Sequence, residues 1–510
     1  MTIMSYHVYP VLPWEDTCED YQVKINGVPV ELNTARVSNQ PFNRRWPGHQ
    51  RQKSQTELIN FLSMEMDEPV TFEITPKEPF ETVIIRPLSL GIQPEIIDGT
   101  ITFTLEKPAF LTVEPYGINR ALHIFADPVS EYDVDFEDEN VIYFGPGEHE
   151  AGTIEMKSGQ TLFLDEGAVV YACVHGIDVE NVKILGRGIL DNSHNHEVIL
   201  YEENLTKNTM QSNNAKRQHT IQFEFSENIQ VDGITIRDSL VYNFRMICCD
   251  GIHVSHAKVI GSWRYNTDSF NMHNSKNVLI EHCFFRSFDD AICVKGMDFY
   301  RKENVEQIVY DFTHHNGKVY DTCENVHARN CTIWSDYSQA FTIGAETQAE
   351  EICNVLFEDC DVIHFNCCIL DCHNLHWADV HDITYQNIRV EYDDVILTPQ
   401  GQTSDDHVYE NANPNWTPYL IAMRSYAHPE YTYGSNRAGS NHDILMKDIY
   451  IYGKHRPKAK FLGRDEEHKT KDITIENLYW NGRPVTDWSE FELEWEEEFT
   501  ENIQLIFTDK

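Results

Sequence analysis

The chain of 510 residues carries 82 acidic and 40 basic side chains, a formal net charge of −42, with 41% hydrophobic and 12% aromatic residues. Nucleic acid and anionic lipid both recruit clustered Lys and Arg, so this balance excludes them as partners, and the apolar content is too high for a disordered polyanion. A folded acidic globule of one large domain or two to three ordinary ones is expected.

The first residues show no basic stretch followed by an apolar one, and no run of about 18 apolar residues occurs, so neither a secretion signal nor a membrane partner is expected. Thirteen cysteines, with adjacent pairs at Cys248-Cys249 and Cys367-Cys368, read as buried thiols in strands, and the cytoplasm is the expected compartment. Residues 1 to 138 hold short alternating runs such as Val70–Thr75, Thr82–Arg86 and Thr100–Leu105, broken by Pro and Gly. Alternation over four to eight residues predicts half-buried strands, and several at short spacing predict an N-terminal β-sandwich domain. Asp135–Asn140 forms a polar junction.

Residues 139 to 510 carry a different signal, a degenerate repeat that begins with Asn, Asp or Gly and continues with alternating apolar residues. It starts at Asn181, Asn228, Gly251, Asn277, Asn325, Asn354, Asp382, Asp443 and Asp472. Most neighbouring starts are one short period apart, and the wider gap between Asn277 and Asn325 accommodates one coil plus an insertion around Tyr300 to Tyr320. Units of about 20 to 30 residues, with short strands and polar turns but no helical pattern, predict a right-handed parallel β-helix in which stacked coils supply one another's core. A β-propeller would need longer repeats of about 40 to 50 residues. The recurring Asn or Asp suits a turn position in left-handed geometry.

Two polar clusters, Asn266-Thr267-Asp268 and Asp289-Asp290, are separated by the length of one coil. A coil rises by the strand spacing, about 4.8 Å, so the carboxylates would stack on one wall. Adjacent strand residues point to opposite faces, so both Asp289 and Asp290 reach that wall only if the chain bends between them. Three close carboxylates cannot all ionise normally; one is held protonated beside an ionised neighbour, which is the equipment for cleaving a glycosidic bond.

These residues resemble the Asn-Thr-Asp and Asp-Asp motifs of polygalacturonases, glycoside hydrolase family 28, and Ser338–Glu346 resembles a third motif of that family. The likeness spans roughly residues 140 to 480 and includes GQTLFLDEGAVVYA and ILGRGILD. The chain is also similar to the dextranase and isopullulanase family 49, which joins a β-sandwich to a β-helix. The resemblance implies an inverting mechanism, with Asp289 as general acid and Asp268 and Asp290 activating water. It departs from family 28 at Gln339 and Ala340, where a Gly-His-Gly histidine would stand, and at Phe365–His373, where no Arg-x-Lys occurs.

Substrate contacts are expected from Asn266, Lys295, Gln339, Glu346, Trp334, Tyr337 and Arg264. Arg245 and Arg286 are further cations near the cluster, and Trp263, Tyr265, Trp377, Trp416 and Tyr419 further aromatics. The Pro-, Asn-, Gly- and Tyr-rich stretch from Val395 to Tyr433 breaks the repeat; if it caps one end of a cleft, attack would start from chain ends. Cys367, Cys368, Cys372, His373 and His376 lack a metal-ligand spacing, so neither metal nor cofactor is expected.

The reading is an intracellular inverting glycosidase acting on α-linked oligosaccharides, either pectin-derived and uronic or neutral, with a homo-oligomer left open. A β-eliminating polysaccharide lyase on uronic substrates and a non-catalytic carbohydrate-binding β-solenoid are the alternatives.

Overall fold

The computed structural model describes residues 6–13, 17–44, 53–194, 219–297, 299–301, 308–311, 313–404, 406–428 and 437–508. Its regular structure is β apart from short 3-10 turns. No helix of the described residues is long and apolar enough to cross a membrane.

Alternating sequence as far as Pro128 builds two facing sheets. One has six strands, including Thr56–Met66, Ala109–Ile118 and Leu122–Pro128; the other has five, including Tyr21–Ile25, Val70–Pro76 and Thr100–Leu105. Tyr21–Ile25 alternates buried and exposed residues along its length, placing Val23 and Ile25 in the core beside Phe72, Ile74, Leu111 and Ile124. Strands that alternate in this way bury one face only. The six-stranded sheet buries its second face as well, because the rest of the chain packs on it.

Asp135–Asn140 is a turn segment, and Val141–Phe144 opens a single sheet of thirty strands in which almost every pairing is parallel. These strands wind as a right-handed parallel β-helix. Each coil hydrogen-bonds to the next: Phe244↔Phe270↔Ile292↔Phe341↔Leu370↔Ile421 is one such inward-facing row. All six residues lie in one continuous apolar core that no single coil could enclose. The gap after Asn277 holds two small hairpins, Phe299–Arg301 with Ile308–Asp311 and His314–His315 with Lys318–Val319.

The repeat starts are the turn residues. Asn181, Asn228, Asn277, Asn325, Asn354, Asp382, Asp443 and Asp472 all adopt φ between 51° and 58°. Asn tolerates this left-handed region because its side chain bonds locally. Here the amides also bond between coils: Asn325 donates to Asn277 at 3.0 Å and Asn354 to Asn325 at 2.5 Å. At Gly251, the one repeat start without a side chain, φ is +76° and a Cβ would meet the Asn228 amide oxygen at 2.9 Å.

Sandwich and helix are joined by a buried seam. Phe61, Phe125, Val37 and Ala35 pack on Val169, Tyr171, Ile260, Phe284, Trp334 and Ile363. Buried ions cross it: Lys258 to Asp127 at 2.8 Å, Arg86 to Glu391, and His364 to Glu114 at 2.9 Å. Breaking one such pair strands a charge out of water, so these contacts fix how the two parts sit.

Candidate active site

The three acidic residues lie where the chain turns between strands. Asp268 precedes the strand Phe270–His273, and Asp289 and Asp290 occupy a bend between Phe284–Ser287 and Ile292–Gly296. The coil register stacks them, with the Ser269 amide donating to the Asp290 carbonyl at 2.9 Å and the Ala291 amide to the Gln339 carbonyl at 2.9 Å. The bend turns both aspartates of the pair toward the same face. The Asn266 amide donates to Asp289 Oδ2 at 3.3 Å, and carboxylate oxygens of Asp268 and Asp290 lie within 4.8 Å of each other, with the Cys293 thiol in the same group.

Each acid is held differently. Asp268, 2% exposed, accepts from the Asn271 amide at 3.0 Å and faces the Lys295 ammonium at 3.6 Å. Burial and the charge of Asp289 push its carboxyl well above the ordinary range, with Lys295 opposing them. Asp289 is pushed up to about 7, by burial first and then by Asp290. Asp290 accepts from the Ser338 hydroxyl at 2.6 Å and from the Gln339 amide at 3.3 Å. The site therefore holds Asp268 and Asp289 toward the protonated form beside Asp290, which two donors brace.

The expected substrate residues divide. Asn266, at φ 53°, offers its backbone to Asp289, and Gln339 offers its own to Asp290. Lys295 is in the site but only 4% exposed, its charge balanced between Asp268 and Glu346, the latter at 3.4 Å. Tyr337 is half-buried and stacks on Phe288 at 5.4 Å.

Trp334 does not reach the site. It is 1% exposed in the seam, stacked on His123 of the sandwich at 5.5 Å and covered by the Arg286 guanidinium at 3.8 Å, its indole donating to Asp336 at 2.6 Å. The sandwich takes the outward face of that strand, which the sequence of the strand alone could not reveal. Arg264 is likewise occupied: it pairs with Asp238 and lies over Trp263 at 4.1 Å. Arg286 faces Asp336 at 3.4 Å. Trp263 and Tyr265 are buried, and Trp377 is covered by Arg437 at 4.4 Å. Trp416 and Tyr419 are half-buried, the Trp416 indole donating to the Asn366 carbonyl at 2.8 Å.

Some residues of the site escaped sequence reasoning. Asn271 and Ser338 brace Asp268 and Asp290, and both stand within or just beside the motifs; strand alternation puts Asn271 on the outward face. Half-buried Arg424 pairs with buried Asp371, two and one coils beyond Gln339, with Thr342 donating to Asp371 at 3.0 Å. Their signal is register alone, since Thr342↔Asp371↔Ala422 and Gly344↔His373↔Arg424 continue the outward rows.

Residues 149–396 match the model of glycosyl hydrolases family 28. Asn266, Asp268, Asp289, Asp290, Lys295 and Glu346 all fall inside this matched stretch, and Arg424 falls beyond it. Over 144 residues the chain is 28% identical to polygalacturonases of Gossypium barbadense and Gossypium hirsutum, covering 28% of this chain and 33% of each relative. The alignment thus spans about a third of those relatives' length. Among solved structures, an exopolygalacturonase from Thermotoga maritima aligns over 72% of this chain and 83% of its own, at 14% identity and TM-score 0.48. Dex49A from Penicillium minioluteum aligns over 96% of both chains at 12% identity and TM-score 0.47.

Proposed function

We propose that the chain is a glycosidase that hydrolyses α-glycosidic bonds of an oligosaccharide with inversion. One observation carries this: Asp268, Asp289 and Asp290 converge on one face across two coils, with Asp289 pushed up to about 7. In the reaction, Asp289 gives its proton to the leaving glycosidic oxygen. Asp268 and Asp290 orient a water and take its proton as it attacks the anomeric carbon from the opposite side. The short approach of Asp268 to Asp290 suits two bases sharing one water.

Exo-attack is part of the proposal. Gln400–Gln402 pairs with Phe42–Arg44 of the sandwich domain, His407 and Tyr409 pack on Phe42 at 5.1 and 5.7 Å, and Trp416 is tied to Asn366. The long connection is thereby anchored as a wall beside the coil that follows Gln339. An intracellular location is proposed on the thirteen free cysteines.

The test is a panel of α-linked oligosaccharides, uronic and neutral, with the product anomer followed by NMR. Hydrolysis with inversion, release of end units only, and a loss of several orders of magnitude in Asp289→Asn are expected. Retention of configuration refutes the mechanism, internal cleavage refutes exo-attack, and full activity of Asp289→Asn refutes the catalytic role. Recovery of the protein outside the source cells on fractionation refutes the location.

A further inference from the structure

The outward row that passes the site continues toward the N-terminal coils as Cys293, Asn271, Arg245 and Gln222. The next outward row holds Lys295 and His273. Their inward neighbours Phe244, Met246, Phe270 and Met272 lie in the coil core, so strand alternation aims this second set away from it. Outward residues of a solenoid are ordinarily wet. Here Arg245 is 1% exposed, and Asn271 and His273 are fully buried.

Among the described residues, Arg245 Nε, the Asn271 amide oxygen, the Gln222 amide oxygen and both ring nitrogens of His273 have no hydrogen-bond partner. The contact of the Arg245 guanidinium is His219 Nε2 at 3.4 Å. No carboxylate lies within 4.0 Å of it among the described residues. Glu224, on a neighbouring coil, is engaged by Gln222 at 2.6 Å. Every other cation near the acids is balanced: Lys295 by Asp268 and Glu346, Arg264 by Asp238, Arg286 by Asp336 and Arg424 by Asp371. A buried guanidinium with no carboxylate partner among the described residues is costly, and its free Nε–H is set up for an anion from outside, while the unused oxygens of Asn271 and Gln222 are acceptors suited to hydroxyl groups of the same ligand.

Asn271 fixes where the sugar that carries the anion sits, since its free oxygen can accept from a sugar hydroxyl. Its amide nitrogen braces Asp268, its oxygen is unused, and Arg245 pairs with it in register one coil away, about 4.8 Å toward the N-terminus. We infer that Arg245 holds a single anionic substituent, a carboxylate or a sulfate ester, on the sugar unit at the N-terminal side of the cleaved bond, whereas the unit on the C-terminal side is taken up uncharged. The inference rests on the glycosidase reading and adds a charge asymmetry to it. Burial together with Arg245 and Lys295 pushes the His273 ring well below its usual range, so it serves as a neutral hydrogen-bonding group to the same sugar.

The test uses the full chain carrying Asp289→Asn, which traps substrate. Calorimetric binding is measured for α-linked digalacturonate as the free diacid, as each of its two monomethyl esters, as the dimethyl ester, and for an α-linked digalactoside sulfated on one or other unit. One monoester or one sulfated form should match or exceed the diacid, the dimethyl ester should bind at least about 100-fold more weakly, and Arg245→Gln should erase the difference. The form that binds identifies carboxylate or sulfate as the anion. Equal binding of the dimethyl ester, equal binding in Arg245→Gln, a diacid far ahead of both monoesters, or no binding by any probe overturns the inference. Thermal melting adds a readout that binding does not share: Arg245→Gln should melt at the same temperature or higher, whereas a drop of several degrees with binding unchanged marks Arg245 as structural. The glycosidase reading fails separately, if the wild-type chain binds these probes and cleaves none of the oligosaccharide panel.

Discussion

Lys295→Met probes the electrostatics of the site most directly. The ammonium lies 3.6 Å from Asp268 and 3.4 Å from Glu346, almost out of solvent. At an effective dielectric constant of about 20, a unit pair at that distance is worth about 4 to 5 kcal/mol, or about three pH units on the neighbouring carboxyl. Lys295 opposes the burial and repulsion that already raise Asp268, so its removal moves Asp268 further toward the protonated form. The water-activating side then ionises only at higher pH. The acidic limb of the kcat profile should shift up by about two to three pH units, with activity at pH 5 falling about 100-fold or more. Part of that loss returns toward pH 8, until deprotonation of Asp289 limits the rate. The assay is sugar release from the cleaved oligosaccharide between pH 4 and 9, with kcat and KM determined separately. An acidic limb that stays in place, or a rise in KM at unchanged kcat, would refute the reasoning and make Lys295 a substrate clamp.

Trp334→Ala should cost about 3 to 5 kcal/mol of stability, read by denaturant unfolding, while KM of the folded enzyme is unchanged, because the ring fills the seam between sandwich and helix. A large KM effect at unchanged stability would return Trp334 to the cleft. His364 gives a pH signature of the seam: burial would lower its pKa, but Asp393 and Glu114 overcome this and raise it from 6.5 to about 9. Its stabilisation is whole below about pH 6.5 and is lost as pH rises through about 9. Thermal midpoints should therefore fall across that window, and His364→Gln should flatten the fall; an unchanged slope in the variant contradicts it. In the turn ladder, Asn354→Gly should cost little beyond its hydrogen bond to Asn325, whereas Asn354→Ala should cost about 1 to 2 kcal/mol more for placing a Cβ at φ 53°. Equal melting of the two variants would argue against left-handed strain at that turn.

The architecture was legible because it is written locally. Each coil repeats its own turn, and the left-handed Asn and Asp positions recur wherever the chain starts a new rung, so the period survives in the sequence even as the apolar residues vary. The stacking of Asp268 with Asp289 and Asp290 followed from the same period, since a fixed coil length converts sequence spacing into spatial register. The side chains around them were less legible. Trp334 and Arg286 stand on an outward face, as a sugar platform and a clamp would, and only the docking of the sandwich shows that this part of the face is covered. Lys295 and Arg245 look alike in sequence as cations near the acids; which one is balanced depends on Glu346, on the following coil, and on the neutral Gln222 and Asn271 flanking Arg245.

By itself, then, the sequence determined the coil period, the left-handed turn residues, the change of texture near residue 138 and the carboxylate stack, all of which depend on neighbours within one or two coils. Only the tertiary structure decided which outward faces are wet, which charges are paired and which buried donors are left over. Those properties arise where segments far apart in the chain, such as Glu114 with His364 or Arg86 with Glu391, exclude water from between them. Desolvation is a property of the assembled surface, and no local pattern in the chain encodes it.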